Sequence, residues 1–92
     1  MTSAEFVGWL ERLLATPLPS QAEVEGWYAR QTPFLDRLDD VPELDADFFH
    51  FVHHYMSDVD IRCGDRDYRN EQDAALRSYL VAYRTRIGMR VP

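Results

Sequence analysis

The sequence predicts an all-α domain, a small bundle of four principal helices, from three observations. Apolar residues recur at the 3.6-residue helical period through most of the 92 residues. Two of those periodic runs are preceded by Ser/Thr-x-x-Glu, the signature of a capping box. Prolines 17, 19, 33 and 42 punctuate the chain between them. The expected helices cover residues 3 to 15, 21 to 39 with a break or kink near Pro33, 46 to 57 and 67 to 87.

The first helix follows Thr2 and Glu5, whose hydroxyl and carboxylate each satisfy a backbone N–H at the helix start. Phe6, Leu10, Leu13 and Leu14 share one face, with Val7 and Trp9 at its edges, and Thr16-Pro17-Leu18-Pro19 ends it. Ser20 with Glu23 repeats the capping box. Val24, Trp27 and Tyr28 form the buried face of the second helix, and Phe34, Leu35 and Leu38 keep its angular phase beyond Pro33. Both a kink and a break fit, with Thr32 placed to cap a resumed piece.

Asp45 caps the third helix, the most apolar stretch and the one that holds all three histidines. Phe48, Val52, Tyr55, Met56 and Val59 fall within one arc, with Phe49 and Phe51 on its shoulders; Asp47, His50, His54 and Asp58 gather opposite. Ser57 to Asp67 mixes four aspartates with two arginines before the last helix and reads as the longest ordered connection. Tyr68, Gln72, Leu76, Tyr79, Leu80, Tyr83 and Ile87 carry the final helix, and Gly88 is placed as its left-handed stop.

Composition narrows the function. The net charge of −6 disfavours nucleic acid and anionic membrane surfaces and favours a basic partner. All ten basic residues are arginine, a bias that codon usage explains as readily as selection for bidentate contacts. A single cysteine, Cys63, cannot form an internal disulfide and fits a reducing compartment. With no apolar run near the ~20 residues of a membrane span and no basic leader, the chain reads as cytoplasmic.

Four constellations carry possible chemistry. His50 and His54 have the i, i+4 spacing that lets two imidazoles reach one metal ion, with Asp47 as third ligand, though no HExxH pattern accompanies them. The aspartates at 58, 60, 65 and 67 fail the calcium-loop spacing, since Cys63 stands where the invariant glycine belongs. Cys63 beside Arg62 and Arg66 reads as an ordinary thiol, because nothing in the sequence brings a base to it. Trp9, Phe51, His53 and the Arg77, Val81, Arg84 stripe lie off the core phase and are the candidate partner-binding residues.

Thr2, Ala4, Glu5 and Phe6, opening a small acidic helical chain, resemble the start of the colicin nuclease immunity proteins. That resemblance implies an inhibitor of a basic toxin domain. It covers the first helix only, and the tyrosine pair followed by proline that those proteins present to their toxin is replaced here by Phe48-Phe49-His50, so no functional residue is carried across.

The sequence therefore points to a non-enzymatic protein-binding module of inhibitor, immunity or adaptor type, monomeric or a small homo-oligomer, with no cofactor. A metal-binding protein using Asp47, His50 and His54, and a subunit that homodimerises through its aromatic surface, are the alternatives. Exposed Trp9 or Phe51 would favour the last.

Overall fold

A computed structural model describes residues 1–88. Five α-helices follow one another: α1 Ser3–Ala15, α2 Val24–Leu35, α3 Ala46–Ser57, α4 Val59–Gly64 and α5 Arg66–Ile87, with 3₁₀ turns at Gln21–Glu23 and Leu38–Asp40. There is no β-strand among the described residues.

Local chemistry sets most of the boundaries. In the α1 capping box the Glu5 N–H donates to the Thr2 hydroxyl and the Thr2 N–H to the Glu5 carboxylate, both at 3.1 Å. Asp45 accepts from the Phe48 N–H at 2.7 Å to start α3. Asp65 accepts from the Tyr68 N–H at 3.0 Å to start α5. At the far end of α5, Gly88 adopts φ 74°, a left-handed conformation in which its N–H closes onto the last carbonyls.

The second helix is interrupted shortly after Pro33, in keeping with the sequence reading, and one stretch, residues 57–67, differs from it. α2 runs through Pro33 and stops two residues later, so the helical path breaks at Asp36–Arg37 and resumes only as the 3₁₀ turn. The Thr32 hydroxyl donates back to the Tyr28 carbonyl at 3.2 Å instead of capping a new helix. The connection expected across residues 57–67 contains α4, which buries Val59 and Arg62. Six residues are too few for a helix stable in isolation, so tertiary packing holds it.

The core joins all five helices. Phe48 lies at its centre, 5.3 Å edge-on from Phe6 and 5.0 Å from the stacked ring of Tyr79. Leu10, Val52, Met56, Leu76 and Leu80 close around these rings. Each large apolar side chain so buried contributes about 1.5–3 kcal/mol, and the tilted and stacked pairs favour one ring arrangement over others. The core thereby fixes which faces of α3 and α5 look outward.

Candidate functional site

Asp47, His50 and His54 are all exposed along the outer face of α3. Among the described residues these side chains do not join into a group of three that could hold a metal ion. Two imidazoles one turn apart leave a divalent ion short of donors. His53 is exposed as well, its ring 4.8 Å from that of Phe49.

Trp9 is a core residue, which corrects its placement on the surface. It is 2% exposed, its ring stacks on Phe34 at 5.0 Å, and its indole N–H donates to Gln31 Oε1 at 2.8 Å. The buried face of α1 is wider than one amphipathic stripe because α2 covers one flank while α3 and α5 cover the other. Phe51 is half-buried, with its ring 4.8 Å from Tyr79. Neither aromatic offers the protruding anchor that a homodimer interface would use.

Arg77, Val81 and Arg84 do converge. They line a groove of about 380 Å³ between α1 and α5, together with Glu11, Leu14 and Leu80. Val81 is 56% exposed, while Arg84 folds down to pair with Glu11 across the groove. That pairing draws one of the two arginines into intramolecular use.

A more distinctive surface lies between α2 and α3. Asp36, Asp39, Asp40, Glu43, Asp45 and Asp47 all stand exposed within one twelve-residue stretch. Of these, only Asp45 makes an ion pair among the described residues, with Arg86 at 2.7 Å. Leu38, Val41, Leu44, Phe49 and His50 line an open hollow of about 320 Å³ in the middle of this acidic ground. The turn that displays it is pinned by α5: the Tyr83 hydroxyl donates to the Pro42 carbonyl at 2.7 Å, and Arg86 Nη2 donates to the Glu43 carbonyl at 2.9 Å. Glu43 itself sits at φ 56°, a left-handed conformation that a side chain other than glycine or asparagine rarely adopts.

The sequence reading missed a buried polar cluster around Arg62. This side chain is 1% exposed. Its guanidinium carbon lies 3.8 Å from the centre of the Tyr55 ring, and Nη1 donates to the Tyr55 carbonyl and to Gln72 Oε1. Around it, the Tyr55 hydroxyl donates to Asp73 at 2.8 Å and the Tyr68 hydroxyl to Asp58 at 2.6 Å. Burial pushes the Tyr55 hydroxyl pKa upward and the Arg62 guanidinium pKa downward. Nε and Nη2 of Arg62 have no hydrogen-bond partner among the described residues. A signal was present in the sequence: Val59, Arg62 and Cys63 have i, i+3, i+4 spacing, a helical face with an arginine at a core position.

Comparison with protein-family models, with curated proteins and with solved structures returns no match.

Proposed function

We propose that this chain is a non-enzymatic protein-binding module whose acidic surface between α2 and α3 receives a basic protein partner. The observation that carries the reading is an apolar hollow, walled in part by Asp39, in a stretch where five exposed acidic residues make no ion pair among the described residues. Interfaces combine an apolar centre with a polar rim, and a rim of one sign steers an oppositely charged partner into place. The second support is backbone geometry. A left-handed glutamate fixed by Tyr83 and Arg86 keeps the acidic turn in a single shape, which lowers the ordering cost of binding.

The test compares wild type with an Asp39→Arg, Asp40→Arg, Asp47→Arg variant as immobilised bait. A retained protein is identified, produced separately and titrated at about 0.01 and 1 M salt, where the Debye length falls from about 30 to about 3 Å. The expected partner is basic, associates more slowly at high salt and is not held by the variant. Equal retention by both baits, or association indifferent to salt, overturns the proposal.

A further inference from the structure

We infer that the cleft between the Pro17–Pro19 connection and the α4–α5 junction binds phosphate, with Arg62 as its anchor. This site is separate from the acidic surface. The cleft has a volume of about 740 Å³, and Pro17, Pro19, Arg62, Cys63, Arg66 and Arg69 contribute to its walls.

The geometry of one guanidinium carries the inference. Nη1 is engaged by the Tyr55 carbonyl and Gln72. The two nitrogens left over among the described residues, Nε and Nη2, are the side-on edge of the group. Their N–H bonds run parallel, and that fork matches two oxygens of one phosphate or carboxylate. A buried arginine with its end occupied and its fork empty is costly, since unpaired buried donors of a charged group lose hydration without replacement. The nearest acids are already engaged: Asp58 accepts from Tyr68 and Asp73 from Tyr55 and Arg69.

The number of arginines favours phosphate over carboxylate. Arg62, Arg66 and Arg69 line the cleft with Asp65, and Arg69 is paired with Asp73, so about one positive charge is left over. Phosphate has oxygens enough to meet the Arg62 fork and a second guanidinium at once, and the N-terminus of the 22-residue α5 adds its dipole in the same sense. Nε and Nη2 are closed to solvent, so a ligand reaches them only when the cleft wall rearranges. Arg66 is exposed and Arg69 half-exposed, and long side chains of this kind rearrange readily.

The chain carries its own reporter. Cys63 is the only cysteine, is half-buried in the cleft wall and donates its S–H to the Pro19 carbonyl at 3.0 Å. Inorganic phosphate is titrated into the intact chain at constant ionic strength above neutral pH. Two readouts are followed: the Arg62 Nε–H resonance in a ¹⁵N spectrum, and the rate at which uncharged iodoacetamide alkylates Cys63. The expected result is a saturable shift of that resonance and a saturable slowing of alkylation with the same midpoint. Arg66→Ala with Arg69→Ala, which alters only side chains outside the core, weakens both by about tenfold or more. Arg62→Lys keeps the charge, removes the fork and abolishes the response. If Arg62→Lys fails to fold, the double variant still decides. Absence of a saturable response in wild type overturns the site, as does an undiminished response in the double variant or direct evidence that Asp58 or Asp73 occupies the fork. Acetate binding as tightly as phosphate overturns the assignment to phosphate.

Discussion

Gln31 supplies the acceptor that the buried Trp9 indole needs, so Gln31→Leu strands a donor inside the protein. Urea denaturation is expected to show a loss of about 1–3 kcal/mol, the usual cost of an unsatisfied buried polar group. Arg62 behaves in the opposite way. Because two of its nitrogens are already unpaired in the folded chain, Arg62→Met replaces a poorly satisfied charge by an apolar side chain of similar length. It is expected to leave stability unchanged or raise it by about 1–4 kcal/mol. A clear loss in the same denaturation measurement would mean that the contacts to Tyr55 and Gln72 outweigh the burial. Tyr55 gives a pH signature. Its folded pKa lies above the ordinary 10.0, chiefly through burial, so the hydroxyl contributes stability that is complete below that value. The contribution fades as pH rises past it, because the unfolded chain ionises first. Thermal melts should decline above pH 10, and Tyr55→Phe, which retains the ring beneath Arg62, should flatten that decline.

Helix ends make the complementary case. Gly88→Ala places a β-carbon on a left-handed residue with no atom within 4 Å of it, so the penalty is conformational and not steric. About 1 kcal/mol is expected from the melting temperature. Glu43→Gly reverses the sign, relieving a left-handed position, and should stabilise by a similar amount. The carboxylates of Glu5, Glu23 and Asp45 are all held below their ordinary values, first of all by hydrogen bonds with Thr2, with Ser20 and with the Phe48 N–H respectively. Groups shifted this way contribute stability above their unfolded values and lose it as pH falls. Acid unfolding should therefore set in below about pH 4.5, with Asp45→Asn unfolding less steeply there. These ends were legible in the sequence because caps are local chemistry: Thr2 with Glu5, Asp45 and Gly88 act within four residues of themselves. α4 was not legible. Its buried side chains Val59 and Arg62 pack against other helices, Arg62 on Tyr55 and Gln72, and four aspartates around Gly64 disguise the stretch as a turn.

The arrangement of the helices explains why the fold class was readable while the surface was not. Periodicity reports which face of a helix is apolar, and it identified the core phases of α1, α3 and α5. It does not report how many neighbours a helix has, and Trp9 was misplaced for that reason: α1 is flanked on two sides. Nor does it register that residues 41 apart in sequence, Asp45 and Arg86, pin the acidic turn. The proposed role of that turn in partner binding belongs to the molecule's charge as a whole. At −6, with acids concentrated between α2 and α3, lowering the net negative charge elsewhere should leave partner association largely intact, whereas reversing Asp39 and Asp40 should slow it.

The contact of α1 with α5 has a kinetic consequence. Ser3 meets Tyr83 across 80 positions of sequence, and Glu11 meets Arg84. By contrast, contacts among α3, α4 and α5 begin with near pairs, Arg62 with Gln72 and Tyr55 with Asp73, 10 and 18 apart, and extend only to Phe48 with Tyr83, 35 apart. Local contacts close with little loss of chain entropy and distant ones with more. Refolding should therefore assemble the α3–α4–α5 unit first and seal α1 against it last. Substitutions at Val52 or Leu76 should then slow folding, while those at Leu10 should chiefly speed unfolding.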